Sequence, residues 1–291
     1  MSKALGVFVG RFGRVALLSA DEPVSEHAHS QLHVLIKIDG ADGFYDVGGE
    51  VAPITDDQMV TVNPWVPHQN PRVSKAPATV LLALYLEPVW LGMVDKSITL
   101  GRTNSLFADT NGRVSDDIRR LAHEIADLIR DSIGQEEFLE DLLLSLMREI
   151  VNRFCDQSLG YQLPQPKRQI DYRIRKAAKF MRDHANKTLE LDEVASHAGL
   201  SRSRFYEQFR SCIGVSPRVY LDALCIEAAM VELSSRDRSL ADISETLGFS
   251  AQSHFTRFFR SKMGVPPSDV RNVIYDLVGT RQIRLLKDER L

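Results

Sequence analysis

The chain has 291 residues, which favours two domains over one, and 44% of them are hydrophobic, ample for packed cores. The longest apolar run, residues 78–86, meets Glu87-Pro88 well short of a membrane span, and the opening MSKALGVFVGRFGR has too short an apolar region for a signal peptide, so a soluble, cytoplasmic protein is expected. Three cysteines (Cys155, Cys212, Cys225) without a Cys-x-x-Cys spacing suggest neither a disulfide framework nor a cysteine metal knot.

Residues 15–18, 32–38, 44–47, 59–62 and 79–86 are short runs rich in β-branched and aromatic side chains, separated by turn signals such as Asp39-Gly40, Gly48-Gly49 and Asn63-Pro64. Such spacing predicts a β-sandwich or small barrel over residues 1–112, with a ligand held in its mouth. The period then changes. Ile118, Leu121, Ile125 and Leu128, and after them Phe138, Leu142, Leu146 and Ile150, recur at intervals of three and four, which predicts two amphipathic helices joined at Ser132-Ile133-Gly134. Their stripes can close a hairpin or meet a second subunit. The span 113–155 is therefore expected to be a helical hairpin that dimerises, and CDQSLGYQLPQPKRQID, with its Gln, Pro and Gly, gives a linker over 156–170.

Residues 171–291 are expected to form an all-α domain, so the fold class is α+β. Charge divides along the same line. Residues 167–291 hold 22 Lys+Arg against 16 Asp+Glu, a net of +6, which leaves 14 against 23, or −9, for the first 166. A basic half suits a polyanion, because each cation placed on a phosphate releases condensed counterions.

This half also writes one passage twice: LDEVASHAGLSRSRFYEQFRSCIGVSP from Leu191 and LADISETLGFSAQSHFTRFFRSKMGVPP from Leu240. Leu191/Leu240, Gly199/Gly248 and Ser201/Ser250 align at an offset of 49, whereas Phe205/Phe255, Phe209/Phe259 and Pro217/Pro267 align at 50, so the second copy carries one extra residue after its serine. In each copy an apolar helix stops at a glycine able to take the left-handed conformation, a serine caps the next helix, and phenylalanines four apart face inward. Arg202, Ser203, Tyr206 and Glu207 then point outward in the first copy, and Gln252, Ser253, Thr256 and Arg257 in the second. Helix, glycine turn and helix form the unit whose second helix fits a major groove. Ser239-x-x-Asp242 adds a capping-box start. Between the copies, residues 217–234 predict a rigid connecting helix that makes a head separation near one DNA turn, about 34 Å, feasible.

The span 187–271 resembles the DNA-binding domain of the AraC family of bacterial transcription regulators, most of all in LGFSAQSHFTRFFRSKMGVPPSDVR and its echo GLSRSRFYEQFRSCIGVSPRVYL. The resemblance implies a protein that binds promoter DNA and activates transcription through RNA polymerase. It puts base-reading residues at Ser203, Tyr206, Glu207, Gln252, Ser253, Thr256 and Arg257. Two positions depart from the family's habit: Glu207 stands where arginine is common, and Asp222-Ala223-Leu224-Cys225 replaces a basic stretch, so fewer phosphate contacts are expected there. His254, beside Phe255, is expected to be structural.

The N-terminal half resembles the cupin-like sensor domain common in that family. His27-Ala28-His29, His33 and Pro64-Trp65-Val66-Pro67-His68 follow the order of the two cupin motifs, with histidine where metal cupins generally have glutamate. His27, His29, His33, Trp65 and His68 are therefore expected to bind a small-molecule effector, with Trp65 as an apolar wall and no metal or other cofactor. Clustered histidines also suit zinc, iron or nickel, the competing reading. No paired catalytic carboxylates, nucleophile elbow or phosphate-cradling loop occurs, and no catalytic residue is expected. The expected function is a homodimeric, effector-responsive activator. The alternatives are a cupin metalloenzyme with an attached DNA-binding module and an effector-independent DNA-binding dimer.

Overall fold

A computed structural model describes residues 2–71, 77–94, 106–131, 136–154, 171–235 and 237–276. The N-terminal part contains β1 (Lys3–Gly10), β2 (Gly13–Ala20), β3 (Val24–His27), β4 (Leu32–Gly40), β5 (Gly43–Val47), β6 (Glu50–Ile54), β7 (Gln58–Val62), β8 (His68–Asn70), β9 (Thr79–Leu86), helix α1 (Pro88–Val94) and β10 (Asn111–Arg113). Two long helices follow, α2 (Asp116–Asp131) and α3 (Glu136–Phe154). The C-terminal part is helical: α4 (Tyr172–Asp183), α5 (Leu191–His197), α6 (Arg202–Ile213), α7 (Pro217–Ser234), α8 (Leu240–Thr246), α9 (Gln252–Met263) and α10 (Pro267–Val273), closed by β11 (Ile274–Asp276). The fold is thus α+β, an antiparallel sheet domain followed by a helical one.

The larger sheet runs β10-β7-β4-β9-β2-β1-β11 and the smaller β3-β8-β5-β6. They share a core without closing into a barrel among the described residues. Alternation decides which side chain faces which layer. Val34, Ile36, Leu82 and Leu84 meet α2 and α3 on one face of the large sheet. Leu35, Leu81 and Ala83 turn to Tyr45, Val47 and Ile54 of the small sheet on the other. With both faces covered, β4 is buried from Leu32 to Ile38, an apolar run interrupted by His33 and Lys37.

Helices α2 and α3 use their apolar stripes against this sheet. In α2 the buried set is Ile118, Leu121, Ala122, Ile125, Ala126 and Ile129; Leu128, expected in the stripe, is only partly buried. A Cβ at Gly6 of β1 would come within 2.3 Å of the Ile129 side chain, so glycine there lets α2 lie close to the strand. In α3, Leu139, Leu143, Leu146, Met147 and Ile150 are buried, whereas Phe138 is 66% exposed and Leu142 partly buried. The segment FLEDLLLSLM carries overlapping stripes one residue apart, and packing against α2 selects the one containing Leu139 and Leu143. The joint at residues 132–134 and the linker 156–170 lie outside the described residues.

The doubled passage folds twice alike. Helices α5 and α8 have seven residues each and α6 and α9 twelve. The turn glycines Gly199 and Gly248 have φ of 68° and 75°, the left-handed region that glycine enters without strain. Phe205, Phe209, Phe255 and Phe259 are fully buried, each worth about 1.5–3 kcal/mol. Ser201 occupies the N-cap position of α6, but its side chain makes no capping hydrogen bond. Ser250 does not cap α9: the extra residue, Ala251, takes that position, and the displaced Ser250 hydroxyl instead pairs with His254 Nδ1 at 2.8 Å. His254 itself is exposed. The expected capping box is present, with Ser239 and Asp242 bonded reciprocally at the start of α8. Helix α7 covers 217–234 as expected, with Pro217 in its first turn and the Ser216 side chain accepting from the Val219 amide. At 1.5 Å per residue it is about 27 Å long.

The two helical pairs sit in different cores. Pair α5–α6 packs with α4 and the first half of α7, through Ile174, Met181, Phe205, Phe209, Tyr220 and Leu224. Pair α8–α9 and the second half of α7 share one continuous core with the sheets, joining Phe255, Phe259 and Leu233 to Leu35, Val62 and Leu81. Strand β11 then pairs in parallel with β1, Ile274 opposite Val7, and becomes an edge of the large sheet.

Candidate functional site

Helices α6 and α9 present the outward residues that the sequence singled out. Arg202, Ser203 and Glu207 are exposed and Tyr206 half-buried on α6; Gln252, Ser253 and Arg257 are exposed and Thr256 half-buried on α9. Arg202 is already engaged: its Nη1 donates to Asp192 at 2.8 Å and its guanidinium lies 5.8 Å from the Tyr206 ring centre. The connecting helix holds the two surfaces on one frame. Asp222, the acidic departure in that helix, is turned inward at 16% side-chain exposure, with Lys187 at 2.6 Å, Arg218 at 3.6 Å and Lys262 at 3.7 Å. A carboxylate here ties the segment before α5, the start of α7 and the end of α9 together. A surface cation would contact phosphate instead.

A second site lies where the sheets meet the helical domain. His27 and His68 are cross-strand partners on β3 and β8. His29 follows in the β3–β4 connection, and His33 stands on β4, which pairs with β7 at His33/Val62. Their rings cluster: the His27 and His68 centres are 4.2 Å apart, His29 and His68 5.0 Å, and His33 and His29 5.1 Å. Each Nδ1 lies within hydrogen-bond distance of a carbonyl, Ser25 for His27 (3.0 Å), Gln31 for His29 (3.1 Å), Leu84 for His33 (2.9 Å) and Val66 for His68 (2.9 Å). A carbonyl only accepts, so each neutral ring carries its proton on Nδ1 and leaves a lone pair on Nε2. Burial holds all four below the ordinary histidine value, with mutual repulsion adding to the effect at His27, His29 and His33; His68 falls to about 4.

Trp65 is placed differently from the sequence expectation. Its backbone is at φ 63°, a left-handed geometry that costs a non-glycine residue of order 1–3 kcal/mol. Its amide donates to the His29 carbonyl at 2.8 Å, while its ring lies 4.7 Å from that of Tyr220 on α7. Trp65 therefore joins the histidine segment to the helical domain.

Beside the histidines, a cleft of about 990 Å³, open mouth included, separates β1 and β2 from α7 and the end of α9, with Arg14, His29, Ile226, Glu227, Met230 and Lys262 on its walls. Arg14 is half-buried and lies 3.8 Å over the Tyr85 ring. Burial lowers its pKa, while Tyr85, Glu227 and Glu87 support its charge. Sequence reasoning found the histidines but not Arg14, Glu227 or Lys262, whose convergence depends on how the domains dock.

Paired helices on one rigid connector, both with exposed polar faces, define a nucleic-acid-binding class of domain. A family model described as a helix-turn-helix domain matches residues 194–272. The chain is 27% identical to the arabinose operon regulatory protein of Escherichia coli strain K12 over 184 residues, 62% of this chain and 62% of that one. It thus spans about three-fifths of the length of this curated relative. In structure it is similar to an apo single-residue variant of ToxT from Vibrio cholerae strain SCE256, with TM-score 0.55, 13% identity, and 90% of this chain and 97% of that one covered. It is also similar to ToxT from Vibrio cholerae O395 bound to (E)-4-(8-methylnaphthalen-1-yl)but-3-enoic acid, with TM-score 0.53, 12% identity, and coverage of 89% and 97%. Residues 194–272 thus carry a helix-turn-helix domain, and the chain is similar to proteins named as operon regulators.

Proposed function

We propose that this chain is a sequence-specific DNA-binding transcription regulator, with α5–α6 and α8–α9 acting as two helix-turn-helix units that enter successive major grooves. The observation that carries this is the pair of twelve-residue helices, α6 and α9, each with exposed polar side chains, held on the 18-residue connector α7. Ser203, Tyr206 and Glu207 read bases in one groove, and Gln252, Ser253, Thr256 and Arg257 in the next, while Arg202 serves as a flanking contact. In this reading residues 171–291 form the DNA-binding domain, 1–112 a cupin-like sensor and 113–155 the dimerisation hairpin. The likeness to proteins named as operon regulators supports a regulator and not an enzyme. Its partners in this reading are promoter DNA and RNA polymerase, met in the cytoplasm. Among the described residues no helix is long and apolar enough to cross a membrane.

The effector site of this proposal is the cleft between the sheets and α7, with His27 and His29 at its edge. A small molecule held there touches both domains and biases their arrangement by its differential affinity for the two states. The structurally similar ToxT bound to a naphthalenyl-butenoic acid supports a small-molecule occupant. Homodimerisation is assigned to the outer face of α3, where Phe138 stands 66% exposed; sedimentation of Phe138→Asp tests it, since an unchanged mass would remove that face from the interface.

The direct test of DNA binding is titration of the full chain with its selected operator at rising salt. The logarithm of affinity should fall linearly with the logarithm of salt, by about 0.9 for each phosphate neutralised. A salt-independent or absent interaction contradicts the proposal.

A further inference from the structure

We propose that His27, His29 and His68 form a binding site for a divalent first-row transition ion, zinc in the first instance, coordinated through Nε2. One ring nitrogen from each of the three lies within 4.8 Å of the other two. A tetrahedral zinc with bonds of about 2.0–2.1 Å sets nitrogens about 3.3 Å apart, so side-chain rotation closing the set by at most about 1.5 Å is sufficient. The Nε2 atoms of His29 and His68 are buried and make no hydrogen bond among the described residues, an arrangement that is unfavourable unless something accepts their lone pairs. The three Nδ1 atoms meanwhile face the carbonyls of Ser25, Gln31 and Val66. A donor bond from the far ring nitrogen to a carbonyl is the outer-shell support that fixes a ligating imidazole's tautomer and orientation.

The donor set selects the class of ion. Three imidazoles without a carboxylate suit zinc, nickel, copper, cobalt or ferrous iron, whereas calcium and magnesium require oxygen. His33 adjoins the set with its ring 5.4 Å from that of His68 and stacked at 4.1 Å on Tyr85. Neutral imidazole with its proton on Nδ1 is the ligating form, and the carbonyl facing each Nδ1 favours that tautomer.

Both helical pairs attach at this point. Ala28, between two of the ligands, is buried in the core of α5–α6, and the His29 carbonyl accepts from Trp65, whose ring meets Tyr220. The Lys262 ammonium at the end of α9 donates to the Glu26 carbonyl, next to His27, at 2.7 Å. An ion here therefore fixes the segment to which both units are docked. The inference rests on ligand geometry and is independent of whether the chain reads DNA.

The test uses the untagged full-length protein, stripped with a chelator, dialysed against zinc and, separately, cobalt(II). About one equivalent of zinc per chain is expected, a cobalt d–d absorption of a nitrogen-ligated centre, and a melting temperature several degrees higher with metal than without, because an ion that binds only the folded state stabilises it. His29→Ala and His68→Ala should weaken binding at least 10-fold, and His123→Ala on α2 should leave it unchanged. His27→Gln alters the least buried ligand, so it keeps the test decisive if the buried variants fail to fold. Wild-type protein that takes up less than about a tenth of an equivalent overturns the proposal. So does a folded His27→Gln or His68→Ala variant that binds zinc as tightly as wild type.

Discussion

The two helical pairs descend from one repeated passage, yet they are held in the molecule by different means. Pair α5–α6 has a core of its own and reaches the sheet domain mainly through Ala28, Trp65 and the end of α7. Pair α8–α9 has no separate core, because Phe255 and Phe259 belong to the same apolar cluster as Leu35, Val62 and Leu81 of the sheets. Around that cluster Arg260 pairs with Glu22 and Lys262 with the Glu26 carbonyl, and β11 adds a strand to the sheet edge. The second unit is thus an extension of the sheet domain, whereas the first is carried on the connector. Any change in the sheets should reach the second unit directly and the first through α7.

The largest expected effect sets the two cores against each other. Phe209→Ala and Phe255→Ala should each destabilise the protein by about 3–5 kcal/mol, as buried aromatic truncations do. Native-state hydrogen exchange on β1 and β2 should accelerate for Phe255→Ala and stay near wild type for Phe209→Ala. Equal acceleration in both variants would erase the distinction.

Asp222→Asn comes next, at about 1.5–3 kcal/mol, because it removes a charge that a half-buried Lys187 and Lys262 both face. Urea unfolding measures it. As Asp222 links the segment before α5 to the end of α9, the variant should also reduce the cooperativity between the two units, seen as a lower m-value. The smallest effect belongs to Glu22→Gln. Its partner Arg260 is 35% exposed, and such pairs contribute about 0–1 kcal/mol, less at high salt. A loss of several kcal/mol would mean that this pair, and not the shared core, holds the second unit.

A thiol experiment sharpens the comparison further. Burial pushes the Cys225 thiol up to about 12 within the first core, whereas Cys212 near the end of α6 is half-exposed. Since the thiolate is the reactive form, alkylation mapped by mass spectrometry at pH 8 should label Cys212 far faster than Cys225.

Much of the helical half was legible because its signals are local. Glycine at 199 and 248, phenylalanines four apart, the serine–aspartate box at 239–242 and the proline at 217 each act within a few residues, and the helices formed where those marks lie. The inserted residue was legible as an offset, but its consequence was not: periodicity cannot say that Ala251 would take the cap and release Ser250 to His254. The histidines were legible as a group because HAH and the PWVPH motif are compact. Trp65 was not, since Tyr220 lies far along the chain and nothing near Trp65 points to it. For the same reason the expected stripes missed at Leu128 of α2 and at Phe138 and Leu142 of α3, where Ile129, Leu139 and Leu143 are buried instead, and β1, β3, β6 and β8 escaped. Strands as short as β3 and β8 declare themselves only by pairing.

The central claim, that α9 is a base-reading helix held in register by the sheet domain, is tested most directly by the base preference of the full chain with Arg257 intact and with Arg257→Ala. Selection from a random DNA pool should show wild type preferring two blocks about one helical turn apart. The variant should lose about 1–3 kcal/mol of discrimination at one position of the second block and none in the first. An unchanged preference at every position would contradict the account, because Arg257 would then face something other than a base edge.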